Sequence, residues 1–336
     1  MKAPAFWWTD TPSWRARMLA PTGRIYAKTI ADAFTKAEPF KAPVPVFCAG
    51  NLVAGGAGKT PTSLWLAKAL QSRGHKPAFV TRGYGGSEKG PLVVSERHHD
   101  AARVGDEALL LSTAGTTIVA HDRADGARLA VEKGATAIIM DDGFQNPGLA
   151  KDCALVVIDA ERGFGNGLCI PAGPLREPPS QGFARAHGAL VLGGTKEQRT
   201  ATAERLVPSH LPVVTGRLVP GRGCEWVAGQ PLTAFAGIGA PERFFATLEE
   251  LGAVLKGRFE FPDHHPYKPQ DMILIERHAR STHSIPITTE KDAVRLPVSM
   301  RGKIAMIRVD LELDDRAPLD RLIDQTLTAH LAAHAN

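Results

Sequence analysis

Four residues set the chemistry open to this sequence: Lys59, Thr60, Asp141 and Asp142. Lys59 and Thr60 close the run Gly55-Gly56-Ala57-Gly58-Lys59-Thr60-Pro61, which lies between the apolar stretch "VPVFCAG" and a helical pattern from Thr60 to about Ser72. Backbone N–H groups of such a turn and of the following helix N-terminus aim at one point, and that point suits phosphate oxygens. Lys59 has the length to reach β- and γ-phosphates, and the Thr60 hydroxyl suits Mg²⁺. One irregularity stands in the pattern: the Gly that usually opens a phosphate loop falls at position 53, which holds Val53. Asp141 and Asp142 end the apolar run "IIMDDGFQ", where an acid can face a metal held at the phosphates, although Asp-Asp-Gly is also ordinary turn chemistry.

Other groups support more than one reading. Asp106 and Glu107 open a helical pattern in "VGDEALL", and acids in a first turn complement the helix dipole without further purpose. Arg82 in "RGYGG" ends a strand pattern and suits either a phosphate or a neighbouring Asp. The Gly- and Pro-rich loop "GNGLCIPAGPLREP" carries Arg176 and Glu177 and is shaped more tightly than a linker needs, which favours a substrate or metal role. In "FPDHHPY", Asp263, His264 and His265 are adjacent, and adjacent side chains rarely point at one ion, so a surface His pair is the simpler expectation. "TTEKDAV" superficially matches a guanine-reading motif, but Lys291 and Asp292 are adjacent, so GTP specificity is unsupported.

The elements that must position these groups alternate strand with helix. After Pro45 the strand patterns "VPVFCAG", "KPAFVT", "TTIVA", "ATAIIMD", "CALVVIDA" and "HGALVLGG" are separated by helical ones, predicting an α/β fold with a mainly parallel sheet and ligands at its carboxyl ends. From about Thr195 the chain turns polar and then resumes as a smaller α/β unit. "PVVTGRLVP" and "KIAMIRVDLELDD" are predicted to pair as a two-stranded connection, and a closing helix is predicted from Pro318 to His334. The expected organisation is an N-terminal helix over 1–36, a phosphate-loop domain over 37–211, a smaller α/β domain with linker strands over 212–317, and a C-terminal helix over 318–336.

Composition bounds the rest. At 336 residues and 43% hydrophobic content the chain suits two α/β domains with real cores, and a formal charge of +5 suits an anionic partner without choosing one. Four scattered cysteines without metal spacing fit reduced, buried thiols in a cytoplasmic setting. No signal-peptide layout is present, and no stretch reaches the roughly 20 uninterrupted apolar residues of a spanning helix. Residues 5–36 nonetheless gather Phe6, Trp7, Trp8, Trp14 and Tyr26 among Arg15, Arg17, Arg24, Lys28 and Lys36. That mixture suits a helix lying in a membrane interface, and equally an amphipathic helix packed on the protein's own core.

The Gly55-Gly56 pair resembles the GGxGKT loop of partition-type ATPases, but the Lys that usually precedes the pair there is Ala54 here. Taken in order, "GNLVAGGAGKTP", "RGYGG", "VGDE", "DDGFQN", "RGFGNG", "PAGPLREP", "FPDHH" and "TEKDAVRL" closely resemble the tetraacyldisaccharide 4′-kinase, or lipid A 4′-kinase, family, from Gly50 to Leu296. The resemblance implies a phosphate-loop domain, a two-stranded linker and a smaller α/β domain. It implies a peripheral or monotopic enzyme on the cytoplasmic face of the inner membrane that moves the γ-phosphate of ATP to the 4′-hydroxyl of lipid A disaccharide 1-phosphate. Asp106 is then the base, supported by His264, with Lys59, Asp142 and Arg82 also catalytic and Mg²⁺ held by Thr60, Asp141, Asp142 and Glu177. No nucleic acid and no obligatory protein partner is implied. The sequence departs from the family at Asn146, where a His is common, and in the basic residues that interrupt its N-terminal apolar segment. A partition- or chaperone-type switch ATPase has no evident need for "DDGFQ" and "PAGPLREP", and a soluble small-molecule kinase or ATP-dependent ligase on the same fold would not need the N-terminal aromatic belt.

Overall fold

The computed structural model describes residues 3–55, 58–297 and 299–334. The expectations for Gly56 and Ala57 therefore lie outside the described residues. Nine strands form one sheet: β1 (Val46–Gly50), β2 (Pro77–Thr81), β3 (Leu92–Val93), β4 (Thr117–Val119), β5 (Ala137–Asp141), β6 (Cys153–Asp159), β7 (Gly188–Leu192), β8 (Val213–Pro220) and, last in the chain, β13 (Val309–Leu313). A four-stranded sheet holds β9 (Pro231–Ala236), β10 (Val254–Glu260), β11 (Ile285–Thr289) and β12 (Ala305–Ile307). The helices are α1 (Trp14–Lys36), α2 (Lys59–Gln71), α3 (Ala101–Val104), α4 (Asp106–Ser112), α5 (Arg123–Glu132), α6 (Pro179–Phe183), α7 (Lys196–Leu206), α8 (Pro241–Glu250), α9 (Pro269–Ser281), α10 (Glu290–Ala293) and α11 (Ala317–His334).

The large sheet runs β13-β8-β7-β6-β1-β5-β2-β4-β3, parallel except at its two edge strands. Strands β1, β2, β5 and β7 are buried at every residue, which is why they read as unbroken apolar runs: helices cover both faces of a parallel sheet. Within that core Phe47 and Phe79 are wholly buried, each worth about 2–3 kcal/mol of transfer free energy. Strand β1 pairs with β5 on one side and β6 on the other. Later strands are thus laid down on both sides of β1, and the crevice at its carboxyl end is where such sheets bind ligands.

Strands β8 and β13 pair antiparallel from Pro220 with Val309 to Gly216 with Leu313, as their sequences predict. Both are also continuous with the large sheet, since β8 pairs in parallel with β7. "KIAMIRVDLELDD" is not one strand: it breaks at Arg308, with β12 in the small sheet and β13 in the large one. Helix α11 returns to the large sheet and inserts Leu319 and Ile323 beside Leu190, Val214 and Leu311. Arg73 fastens it through Asp320 at 3.0 Å and Asp324 at 2.6 Å. The polar stretch after Thr195 is helix α7, started by a capping box of Thr195 and Gln198.

Candidate active site

Helix α2 begins directly after Gly58, whose φ is 102°, and no side chain caps its first turn. A Cβ at Gly58 would stand 2.7 Å from Leu192 Cδ1, so only glycine fits both the backbone and the space. Pro61 sits in that first turn, where a missing N–H costs no intrahelical bond. Lys59 folds back on the loop: Nζ donates to Gly55 O at 3.1 Å and lies 3.9 Å from Asp142 Oδ1. Thr60 Oγ1 donates to Asp141 Oδ2 at 3.3 Å, and Ser63 Oγ donates to Asp141 Oδ1 at 2.7 Å. Ser63 is not among the residues expected from sequence; one helical turn beyond Lys59, it shares the face that looks at β5.

Burial, with the charges of Glu107 and Asp142, pushes the Asp141 carboxyl up to about 7 against the opposing pull of Ser63 and Lys59. Surplus negative charge is therefore buried beside two hydroxyls. That donor set fits a hard divalent cation, which takes oxygen ligands and completes its shell with phosphate oxygens and water. Among the described residues no three His, Cys, Asp or Glu side chains converge as a ready-made metal site.

The remaining acids expected at a metal are engaged by arginines. Asp142, with φ 50°, accepts a two-pronged contact from Arg176, at 2.9 Å to Oδ1 and 3.1 Å to Oδ2. Burial alone would raise its carboxyl, but Lys59, Arg176 and Arg123 hold it below the usual range. Glu177 is fully buried, with Oε2 accepting from Arg185 at 2.6 Å and Oε1 from Gln145 at 2.9 Å. Its oxygens go to these groups and not to Thr60 or Asp141, so ligation of a cation by Glu177 requires exchanging one of them. Arg82 is exposed. It lies close enough to Arg123 to add, after burial, to the lowering of that guanidinium to about 10.

Val53, the irregular residue, is explained by the same loop. Ala54 N donates to Pro174 O, Arg176 N donates to Leu52 O, and Val53 bridges Leu175. Position 53 is thus extended, buried backbone that pairs with "GPLRE", and a branched apolar side chain suits it.

A second centre forms where α4 meets the loop after β10. Asp106 Oδ2 lies 2.8 Å from His264 Nδ1, and Oδ1 accepts the Glu107 N–H at 3.0 Å. Burial would raise the Asp106 carboxyl, but the His264 hydrogen bond and the charges of Lys291, His264 and Arg295 outweigh it and hold it below its ordinary value. An ionised carboxylate only accepts, so His264 Nδ1 carries the proton between them. Two backbone features shape this pair. Gly105, at φ 85°, passes so close to the "RGYGG" turn that a Cβ would stand 2.5 Å from Tyr84 O. His264 itself has φ 58°, a conformation a non-glycine residue adopts at a cost of about 1–3 kcal/mol. His265 points elsewhere, to Asp271 at 2.9 Å, so the adjacent pair shares no ligand.

Helix α4, which Asp106 opens, packs against α2, which Lys59 opens, and this sets the second centre beside the phosphate-loop acids. Residues 15–328 match the family model described as tetraacyldisaccharide-1-P 4′-kinase. The chain belongs to that kinase family. It is 47% identical over 325 residues to the tetraacyldisaccharide 4′-kinase of Paramagnetospirillum magneticum, covering 97% of this chain and 98% of the relative. Identity is 46% over 332 residues to that of Rhodospirillum centenum, covering 98% and 97%. Among solved structures, LpxK of Aquifex aeolicus in complex with ATP superposes with a TM-score of 0.72 at 25% identity, covering 93% of this chain and 99% of that one.

In this kinase the N-terminal helix packs on the protein's own core along one side and leaves the other side exposed. Its small residues Ala16, Gly23 and Ala27 face inward, Gly23 against the Cys169 carbonyl, while Trp7 Nε1 donates to Pro171 O at 3.0 Å. On the other side Trp14, Met18 and Ile25 are 66, 71 and 68% exposed. At about 100° per residue these three fall within about 40° of one another around the helix. Arg15, Arg17, Arg24 and Lys28 are exposed as well. Among the described residues no helix is long and apolar enough to cross a membrane. The cysteines are free thiols, and burial pushes Cys48 and Cys153 up to about 12. Asn146 closes a turn, its Oδ1 accepting the Gly148 N–H at 3.1 Å.

Proposed function

We propose that this kinase transfers the γ-phosphate of ATP to the 4′-hydroxyl of tetraacyldisaccharide 1-phosphate, with Asp106 as the base. The observation that carries the reading is the Asp106–His264 pair standing beside the Lys59, Thr60 and Asp141 cluster, since α4, which Asp106 opens, packs against α2, which Lys59 opens. A sugar hydroxyl is a poor nucleophile. Asp106 accepts its proton as the oxygen bonds to phosphorus, while the bond from the γ-phosphorus to the β–γ bridging oxygen breaks and ADP leaves; such a base contributes about 10²–10⁴-fold. The His264 N–H holds the carboxylate in the required orientation. Lys59 exchanges Gly55 O and Asp142 for phosphate oxygens, and Arg82 adds charge at the transferring group.

Mg²⁺ fits Thr60 and Asp141, with Asp142 and Glu177 available when their arginines turn to phosphate. When bound, it neutralises charge developing on the β- and γ-oxygens. Residues 37–211 then form the ATP domain and 212–317 the smaller domain with its linker strands β8 and β13, which extend the ATP domain's sheet, and the acceptor enters between the two sheets. Helix α11 closes onto the ATP domain.

An acceptor with four acyl chains stays in a bilayer, and the outward face of α1 supplies apolar residues ringed by cations. The enzyme is therefore assigned peripherally to the cytoplasmic face of the inner membrane, through residues 1–36. The test is transfer of label from γ-labelled ATP to tetraacyldisaccharide 1-phosphate in detergent micelles. Folded protein that hydrolyses ATP and never labels the lipid overturns the assignment.

A further inference from the structure

The segment "TTEKDAVRL" takes no part in the phosphate site, yet it carries the most tightly held cation near the base. Arg295 has a side chain 3% exposed beside an Asp106 side chain 5% exposed, with Nε 3.5 Å from Asp106 Oδ2. Every guanidinium nitrogen is committed. Nη2 donates to Asp292 Oδ1 at 2.8 Å and to Gly237 O at 3.0 Å, Nη1 to Gly237 O at 3.0 Å, and Nε to Lys291 O at 3.2 Å. Asp292, wholly buried, is itself fixed by the Gly237 N–H, the Tyr267 hydroxyl and the Thr289 hydroxyl. Four turns or element ends of the smaller unit thus converge to hold one arginine still.

We propose that Arg295 is a positioning residue for phosphoryl transfer, a fixed cation from the smaller unit that holds Asp106 in place and in its charged form without occupying its lone pairs. Since the Arg295 N–H groups are spent on other partners, the guanidinium acts on Asp106 by charge and leaves the lone pairs not used by His264 and the Glu107 N–H to take the acceptor's proton. Lys291, one helical turn earlier, stands 3.8 Å from Glu107 and repeats the arrangement on the neighbouring acid. The base is thus faced by His264 from the loop after β10, by Lys291 on α10 and by Arg295 beyond it, while the carboxylate of Glu107, next on its own helix, lies against Lys291. Tyr84 flanks His264 edge-on at 6.3 Å. The role given to Arg295 rests on Asp106 being the base.

The experiment titrates Asp106 directly, by carboxyl-¹³C NMR of aspartate-labelled full-length protein with Asp106→Asn as the assignment control, alongside steady-state turnover. Arg295→Gln is expected to raise the Asp106 midpoint by about one pH unit or more. It should also lower kcat by about tenfold or more while KM for ATP stays within about twofold. Arg295→Lys keeps the charge and should leave the midpoint within a few tenths of the wild type. Folded Arg295→Gln with the wild-type midpoint and turnover overturns the proposal. Where Arg295→Gln does not fold, Arg295→Lys decides: a midpoint raised as far as one unit despite the retained charge refutes it. Wild-type protein that never labels the lipid overturns the kinase reading, and the midpoints still judge Arg295.

Discussion

Asp141→Asn is the substitution whose outcome the structure constrains most closely. The carboxyl is buried between Thr60 and Ser63 hydroxyls, with Glu107 and Asp142 adding negative charge, and is raised from 3.8 to about 7. Because the folded value lies above the unfolded one, the folded state binds the extra proton. The stability that accompanies it is complete below the unfolded value near 3.8 and is lost as pH rises to about 7. About three units at about 1.4 kcal/mol each set a ceiling of roughly 4 kcal/mol, and relaxation of the neighbouring charges lowers this to about 2–4 kcal/mol. Asparagine keeps the shape, its oxygen accepting one hydroxyl hydrogen bond while its NH2 group donates to the other hydroxyl's oxygen, so the variant recovers that amount at neutral pH. Thermal melts of nucleotide-free protein in chelator, from pH 5 to pH 8, are the assay. The variant's advantage should grow up to about pH 7, level off above it, and reach roughly 3–8 °C in melting temperature. Mg²⁺ with ATP should stabilise the wild type and add little to the variant, whose turnover should fall steeply. A variant less stable than wild type at pH 8, or a difference that is flat with pH, would refute the account of a buried surplus charge awaiting a cation.

Three further outcomes follow from other parts of the molecule. Asp106→Asn should reduce kcat by about 10²–10⁴-fold in the micelle assay while ATP binding by calorimetry stays near wild type, because its proposed role is to accept the acceptor's proton and not to hold the nucleotide. Replacing Trp14, Met18 and Ile25 together by Glu should abolish flotation with anionic vesicles and leave the melting temperature within a few degrees, since all three side chains face outward; unchanged flotation would remove α1 from membrane docking. Gly105→Ala should destabilise the protein by about 1–3 kcal/mol and impair turnover, because φ 85° and a Cβ 2.5 Å from Tyr84 O strain the turn that carries Asp106; denaturant melts of folded variant and wild type measure it.

Much of this protein is written locally in its sequence. Apolar runs of strand length, glycines at the phosphate loop and acids at the end of β5 each act through near neighbours, so the parallel sheet and the placing of Lys59, Thr60 and Asp141 are legible without coordinates. The edge strand β10 was not legible, because its residues alternate between half-buried and exposed and offer no apolar run. The proposed base was not legible from local chemistry either. Asp106 in a first helical turn looks like a complement to the dipole, His264 looks like half of a surface pair, and the two lie 158 residues apart. Only the resemblance to a family singled them out, and Arg295 and Ser63 had no signal of their own. Tertiary structure decides these because a side chain's charge state and partner depend on what other elements bring within a few ångströms of it. It also turns Val53 from a defect in a motif into a strand residue paired with Leu175. The sequence alone determined where a phosphate site is to be expected; the approach of α10 and of the loop after β10 to α4 decided which carboxylate is paired with a histidine, and that carboxylate is the one proposed as the base.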